Sequence, residues 1–146
     1  MSTVPAVATV HEIVLTVPAD DSLLRFCRVS VSAAAATLDF DLDQLDDVRT
    51  AVGEAVGLLL QGFVPPVGES DPGRIELRIR LHLDAVEVHG VLEHGVLQQG
   101  VLEHAALPPC EESDLTAALL GATVDEYSFD LGTQRRSFHM VKRRTP

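Results

Sequence analysis

The 146-residue sequence is poor in basic residues, since 11 Lys and Arg stand against 22 Asp and Glu. The resulting formal net charge of −11 repels a phosphate backbone, so direct binding to a nucleic acid is not expected. An acidic surface suits a basic protein partner, although solubility alone is an equally good reason for it. The shortage of positive charge therefore argues against one class of partner and leaves protein partners open.

Cysteines and long apolar runs are also scarce. The two cysteines, Cys27 and Cys110, have no paired spacing, which argues against a disulfide framework and against a zinc knuckle. Cys27 falls in a predicted apolar helix and is expected in the core. No apolar run reaches the ~18 residues of a membrane span, and the N-terminus lacks the basic start of a signal peptide. These absences predict a cytoplasmic protein without a membrane segment.

Hydrophobic residues make up 46% of the chain, which is typical of a folded globule. The length supports one domain with its own core and is short for two. We therefore expect a flexible N-terminal tail over residues 1–10 and a single domain over residues 11–146.

A strand and a helix are predicted at the start of this domain. Residues 11–18 (HEIVLTVP) have the composition of a strand, which Pro18 ends. A helix follows and runs to about Leu38. Its candidate N-caps are Asp20, Asp21 and Ser22.

A second helix is the clearest element of the sequence. Asp41 and Gln44, three residues apart, predict a capping box at its start. Its apolar positions repeat at the spacing of one helix face, namely Leu45, Val48, Val52, Ala55 and Leu59. Glu54 is the one glutamate among the small and apolar residues of this helix, so it either points to solvent or has a function.

The second half of the chain has the patterns of four strands and a helix. Residues 65–73 are a loop by their turn residues, and residues 74–84 (RIELRIRLHLD) alternate as a strand with one face on the core. The predicted core face is Ile75, Leu77, Ile79, Leu81 and Leu83, and the other face is Glu76, Arg78, Arg80 and His82. A turn near Asp84 predicts a hairpin with residues 85–92. A short helix from about Ser113 to Gly121 and two strands around residues 130–133 (DLGT) follow.

This order of elements predicts an α+β, two-layer sandwich in which a mixed, largely antiparallel sheet carries helices on one face. One tandem repeat interrupts the pattern: residues 90–94 (GVLEH), 95–99 (GVLQQ) and 100–104 (GVLEH). Three copies are too few for a solenoid. We expect the first copy to end a strand and the other two to form a loop.

Residues 28–56 (RVSVSAAAATLDFDLDQLDDVRTAVGEAV) resemble the N-terminal half of the bacterial anti-sigma-factor serine kinases, which belong to the histidine-kinase-like (GHKL) ATPase superfamily. The matching features are Arg28 in the first helix, an Asp-x-x-x-Leu-x-x-hydrophobic stretch at residues 41–48, and Gly53-Glu54-Ala55. The element order is similar over residues 11–142, with Gly132-Thr133 before the last strand and Lys142 in it. The resemblance implies a Bergerat-type ATPase fold and a dimer that forms through the sheet. It also implies a protein that silences a sigma factor and phosphorylates an antagonist protein on serine.

The same resemblance implies an ATP site, from which this sequence departs at three points. The family has a Glu-x-x-x-Asn motif, in which the glutamate is a base and the asparagine is an Mg²⁺ ligand. In this sequence Glu54 keeps the glutamate, but Leu58 stands at the asparagine position, and an alkyl side chain cannot ligate Mg²⁺. The adenine-binding Asp-x-Gly-x-Gly falls on residues 93–97 (EHGVL), which keep Glu93 and Gly95. Residues 105–114 (AALPPCEESD) replace the Gly-rich phosphate lid with acidic residues.

These departures predict a degenerate kinase (a pseudokinase) that uses no cofactor. The remnant ATP-site residues are then Glu93, Gly95 and Thr133, and Glu54 is catalytic only if kinase activity survives. The alternative is an active, divergent serine-protein kinase that uses ATP, Mg²⁺ and Glu54.

The resemblance also implies a binding surface at the start of the first helix, where the family meets its sigma factor and its anti-anti-sigma antagonist. Arg25 and Arg28 are therefore the predicted partner-binding residues of a homodimeric, partner-switching regulator of transcription. A dimerising domain with some other partner is a third possibility. A metal site made from His89, His94 and His104 is not expected, because their spacings of five and ten residues do not fit one helix face.

Overall fold

The computed structural model describes residues 10–64, 73–94, 96–98, 101–103 and 107–145, and within them it has seven strands and three α-helices. The strands are β1 (His11–Pro18), β2 (Arg74–Leu81), β3 (Ala85–Glu93), β4 (Val96–Gln98), β5 (Val101–Glu103), β6 (Glu126–Leu131) and β7 (Arg136–Arg143). The helices are α1 (Leu24–Ala36), which follows a 3-10 turn (Asp21–Leu23), α2 (Leu42–Leu59) and α3 (Asp114–Thr123). The predicted tail apart from Val10, residues 65–72 of the predicted loop and Gly95 lie outside the described residues.

Five strands form one sheet in the order β1-β2-β3-β7-β6, and the helices lie on one face of it. The predicted α+β two-layer sandwich is therefore confirmed. Every neighbouring pair of strands is antiparallel, so the sheet is not mixed over the described strands. Between β1 and β2 the chain forms two helices in succession, α1 and α2, and it then returns to the sheet antiparallel to β1.

The core lies between the helices and one face of the sheet, which we call the covered face. Its strand side chains come from alternate positions, as predicted for Ile75, Leu77, Ile79 and Leu81. The predicted stripe of α2 is buried at Val48, Val52, Ala55 and Leu59, and Leu45 packs against the core from the margin. Cys27 is fully buried, as expected. We call the opposite, helix-free side of the sheet the open face.

One close approach fixes the centre of the covered face. Gly90 on β3 lies opposite Phe138 on β7, and the Phe138 ring occupies the space where a side chain at Gly90 would stand. A Cβ built on Gly90 would lie 2.1 Å from Phe138 Cε2. The first glycine of the tandem repeat is therefore required by packing against an aromatic ring.

The helix starts agree with the predicted caps. The Asp20 carboxylate accepts a hydrogen bond from the Ser22 N–H, and Asp41 and Gln44 form the complete capping box of α2. Helix α1 ends at Ala36, two residues before the predicted end. Helix α3 begins after Ser113 as predicted, but it continues through Gly121 to Thr123, because Gly121 keeps a helical backbone there.

The predicted strand over residues 74–84 is too long by three residues. Strand β2 ends at Leu81, and residues 82–84 form the turn into β3, closed by the His82 N–H donating to the Ala85 carbonyl. Leu83 was predicted in the core and is instead 69% exposed, since alternation does not continue through a turn. His82 was predicted on the solvated face and is instead buried at the end of the sheet.

The tandem repeat differs from its predicted loop. The first copy ends strand β3, as predicted, but the second and third copies contain β4 and β5, which pair antiparallel as a separate two-stranded sheet. The Val-Leu-Gln and Val-Leu-Glu triplets have the apolar and β-branched composition of short strands.

Candidate functional site

Glu54, the candidate catalytic residue, bonds helix α2 to helix α3. Its Oε1 accepts a hydrogen bond of 2.7 Å from Thr116 Oγ1, and the backbone N–H of Thr116 donates to Ser113 Oγ at the N-cap of α3. The carboxylate therefore lies against the first turn of a helix, where the macrodipole favours a negative charge. This arrangement gives Glu54 a structural bond between two helices.

Leu58, one helical turn after Glu54, is buried, with 7% of its surface exposed, and its neighbours Leu59 and Leu60 are buried too. The segment just before α3 lies against the same end of α2, since Cys110 Sγ is 3.5 Å from the Leu58 carbonyl oxygen. Here the chain offers hydrocarbon where Mg²⁺ requires oxygen ligands, so these residues do not fit the metal.

A buried arginine holds the other end of this region together. The guanidinium of Arg136 is fully buried, and its Nη1 donates to the carbonyls of Leu59 at 2.9 Å and Gln61 at 2.7 Å. Its Nη2 donates to the Pro108 carbonyl at 2.6 Å, while Nε finds no acceptor among the described residues. We call these three contacts the Arg136 clamp. It satisfies carbonyls that helix α2 leaves unpaired at its C-terminus and puts a positive charge at the negative end of the helix.

Sequence reasoning missed the Arg136 clamp. One signal was available, because Arg136 alternates with Phe138 and Met140 and therefore occupies a core-facing position of its strand. An arginine in such a position must find several acceptors inside the protein.

The predicted remnants of the ATP site are not brought together with Glu54. The Glu93 carboxylate pairs with Arg74 Nε at 2.9 Å on the open face, across the sheet from α2. Glu93 there lines a surface cavity of about 470 Å³ whose other walls include Arg78, His89 and His94. Thr133 uses its carbonyl to accept from the Leu107 N–H at 2.8 Å. Glu54 and Glu93 therefore lie on opposite sides of the sheet, and Gly95 lies outside the described residues.

Arg28 and Glu54, by contrast, line the same shallow groove between α1 and α2. The Arg28 side chain crosses α2 at Gly53, where a built Cβ would lie 2.9 Å from Arg28 Cδ. The other groove residues are Leu24, Asp46, Arg49, Thr50 and Gly53. Arg49 pairs with Asp46 at 3.2 Å, whereas Arg28 forms no ion pair with any described residue. Within the described part of the chain, the groove therefore holds one guanidinium that has no ion-pair partner.

Apolar side chains accompany these arginines on the outer side of α1. Phe26 is 48% exposed and Val29 is 62% exposed, and the Arg25 guanidinium lies 5.3 Å from the centre of the Phe26 ring. We call Arg25, Phe26, Arg28 and Val29 the α1 surface. Arginine and aromatic residues together are typical of interface anchors. Sequence reasoning identified the two arginines but not Phe26 and Val29, which stood out only once the covered side of α1 was known.

The open face carries a second polar cluster, centred on Glu87. Its carboxylate bonds His82 Nε2 at 3.0 Å and His139 Nε2 at 2.6 Å. Burial opposes ionisation of Glu87, but the two histidine contacts outweigh it and hold the pKa of Glu87 below its ordinary value. Burial and then the positive charges of His139, Arg135, Arg78 and Arg80 lower the pKa of His89.

The histidines do not form a metal site within the described residues. His94 Nε2 bonds the Gln134 carbonyl at 3.0 Å, away from the Glu87 cluster, and His104 lies outside the described residues. No group of three or more His, Cys, Asp or Glu that could hold a metal ion occurs in the described part of the chain.

The fold is shared with a solved structure. The chain is similar to the crystal structure of the RsbU and RsbW domains of Rv1364c from Mycobacterium tuberculosis, with a TM-score of 0.62 and 18% sequence identity. The match covers 92% of this chain and 32% of that one, so this chain spans about a third of its neighbour's length. No protein-family model matches the sequence, and no curated protein matches it. Among the described residues, none of the helices is long and apolar enough to cross a lipid bilayer.

Proposed function

We propose that this chain is an anti-sigma-factor-like, partner-switching regulator of transcription that works by occupying a protein partner in the cytoplasm. The partner is a sigma factor or its anti-anti-sigma antagonist. The sequence resemblance of residues 28–56 supports this proposal, and so does the similar fold of a structure that contains an RsbW domain. The proposal does not require phosphoryl transfer.

The observation that carries the proposal is the position of the Arg28 guanidinium and its lack of an ion pair among the described residues. A guanidinium that crosses a neighbouring helix at a glycine is held in place, and without an ion pair among the described residues it remains available to a carboxylate of a partner. Phe26 and Val29 beside it add apolar surface for the same contact. Such a combination of a positioned arginine and exposed apolar side chains favours binding to a protein.

The lack of kinase activity in this proposal rests on the contacts of Glu54 and Leu58. Glu54 accepts its bond from Thr116, and Leu58 offers no metal ligand. We expect no change in melting temperature on adding millimolar ATP with Mg²⁺, because a ligand stabilises only a protein that binds it. A rise of several degrees that Glu93→Ala abolishes would support the alternative, an active serine-protein kinase.

The binding experiment begins with affinity capture from the native host, identification of the captured proteins by mass spectrometry, and titration of the purified partner by calorimetry. Arg28→Ala should weaken binding by ~2 kcal/mol or more, a factor of roughly 30, if Arg28 is a buried anchor. Arg49→Ala is the matched control in the same groove. It should cost less than ~1 kcal/mol, because Arg49 is an exposed partner of Asp46.

Two glycine variants test the position of Arg28 without removing its charge. Gly53→Ala should weaken binding, because the new Cβ displaces the Arg28 side chain. Gly57→Ala, one turn later, meets nothing within 4 Å and should leave binding unchanged. Glu54→Gln should also leave binding unchanged, since an amide oxygen can still accept from Thr116. Loss of binding in Glu54→Gln with full binding in Arg28→Ala would contradict the proposal.

A further inference from the structure

The open face of the sheet carries a row of three basic side chains across its central strands. His89 on β3 lies opposite Arg78 on β2 and opposite His139 on β7. The Cβ atoms of opposed residues lie ~5 Å apart, so like charges in these positions repel each other. The row continues to Val14 on β1 and Ser128 on β6, which bring no charge to offset it. Its positive charge must therefore be met by groups outside the row.

The two outer members of this row are bonded to carboxylates, and the middle one is not. The outer members bond Glu12 and Glu76 on one side and Glu87 on the other. His89 is half-buried, and its ring has no hydrogen-bond partner among the described residues. Burial and the surrounding positive charges lower the pKa of this ring, so the imidazole is neutral at pH 7 and one nitrogen is a donor. Within the described part of the chain, no acceptor uses this donor.

A cavity, which we call the open-face cavity, lies beside the middle of the row. Its volume is about 470 Å³, and sites for small molecules measure roughly 300–1,000 Å³. Among the described residues that line it, three are arginines and two are glutamates, namely Arg74, Arg78, Arg135, Glu76 and Glu93. Each glutamate already bonds one of the first two arginines. Arg135 is exposed and forms no ion pair with a described residue. Positive charge is therefore in excess over this described lining, although the chain as a whole carries −11.

The donors of the open-face cavity come from three separate parts of the chain. Arg78 comes from β2, His89 from β3, and Arg135 from the turn before β7. The Arg78 guanidinium is 37% exposed, so its bonds to glutamates are screened by solvent and can be exchanged at little cost. Guanidinium groups bind phosphate oxygens in pairs, and a neutral imidazole adds one donor. A phosphate group presents three acceptor oxygens in different directions, whereas a carboxylate presents two in one plane. Donors from three directions therefore favour a phosphate group.

We propose that the open-face cavity binds the phosphate group of a small phosphorylated molecule, for which Arg78, His89 and Arg135 are the donors. The recess favours a small molecule over the flat surface of a membrane. The helices lie on the other side of the sheet, so the α1 surface and Glu54 take no part in this site. Binding there is independent of the proposed protein partner.

Titration with glycerol 3-phosphate, followed by NMR of the histidine rings at pH 7 and constant ionic strength, tests the site. The His89 signals should shift to saturation with glycerol 3-phosphate and with inorganic phosphate, and acetate should bind more weakly. Arg135→Gln should weaken binding about fivefold, because it removes an exposed charged donor. Arg144→Gln is the matched control, since this exposed arginine follows the other end of β7, and it should bind unchanged.

Three results of this titration would overturn the proposal. The first is a His89 shift no larger than sodium chloride causes at the same ionic strength. The second is equal affinity for acetate and phosphate, which would assign the cavity to carboxylates. The third is sedimentation with phosphatidylcholine vesicles that contain phosphatidic acid, without binding of glycerol 3-phosphate, which would assign the phosphate group to a membrane.

The pH dependence of anion binding tests the part played by His89. Sulfate is the probe, because it remains a dianion across the range from pH 7.5 to 5.5. A bound dianion favours the imidazolium, so it should raise the pKa of His89, and sulfate should bind more tightly as the pH falls. The charged groups that face His89 from β2, β3 and β7 are Glu76, Arg78, Arg80, Glu87, Arg135 and His139.

Two histidine variants separate the members of the row. His89→Gln should keep part of the sulfate binding and lose its pH dependence, because imidazoles are the side chains that change charge near neutral pH. His139→Gln should keep the dependence, since that ring is bonded to Glu87. A pH dependence that survives in His89→Gln and disappears in His139→Gln would overturn the assignment of His89.

Discussion

The two faces of the sheet hold their arginines in opposite ways. On the covered face, Arg136 is fully buried and donates to three backbone carbonyls, with no carboxylate among its bonded partners. On the open face, Arg78 and Arg80 are 37% and 45% exposed and share the carboxylate of Glu12. The same side chain therefore serves stability on one face, whereas on the other it takes part in solvent-screened pairs that can be exchanged at little cost. Changes on the covered face should accordingly have the larger effects.

The largest expected effect is that of Arg136→Met. Methionine fills much of the volume but leaves three carbonyls without donors, so the free energy of unfolding should fall by ~3–5 kcal/mol. Arg80→Met on the open face is the control and should cost less than ~1 kcal/mol. Urea unfolding of both variants, followed by circular dichroism, measures the difference. Equal losses would remove the distinction between the two faces.

The next largest effect is expected for Gly90→Ala. The added methyl group would overlap the Phe138 ring, and the repacking should lower the free energy of unfolding by ~1–3 kcal/mol. Gly121→Ala in α3 meets nothing within 4 Å and should be neutral or stabilising by up to ~1 kcal/mol. Thermal unfolding of the two variants tests this; an unchanged melting temperature in Gly90→Ala would contradict the close approach.

The smallest effect belongs to the open face and depends on pH. The pKa of His89 is lowered from 6.5, so the unfolded chain takes up a proton first and stability declines as pH falls through 6.5 toward the folded value. The pKa of Glu87 is lowered from 4.5, so its contribution is present above 4.5 and is lost as pH falls through the folded value. His89→Gln should flatten the first decline, and Glu87→Gln the second. Unfolding midpoints across the acidic range test this, and unchanged profiles in both variants would contradict it.

Local signals in the sequence predicted the fold well. The capping box of Asp41 and Gln44, the N-cap Ser113 and the alternation in β2 each involve residues that are close in sequence, and each lies where it was expected. The mistakes at Leu83 and at the end of α3 have the same origin, because a periodic pattern does not reveal where a turn interrupts it or how far a helix continues.

The candidate site is built from contacts between residues that are distant in sequence, so less of it than of the fold could be predicted from the sequence. The Glu54 bond to Thr116 spans 62 residues, and the Arg136 bond to the Leu59 carbonyl spans 77. In neither pair does the local sequence around one residue indicate which residue it contacts. The separation of Glu93 from Glu54 also required knowledge of which side chain of β3 points to which face. The resemblance assigned Arg28 to a partner-binding surface and Glu54 to a separate ATP site, whereas the fold places both in one groove.

The Arg136 clamp has a consequence for the kinetics of folding. Its bonds close chain segments of 77, 75 and 28 residues, so they can form only after α2, β7 and the segment before α3 have met. Contacts of this kind are absent from an early transition state, and losing them accelerates unfolding while leaving the folding rate almost unchanged. We therefore expect the loss of this guanidinium to shorten the lifetime of the native state more than it slows folding.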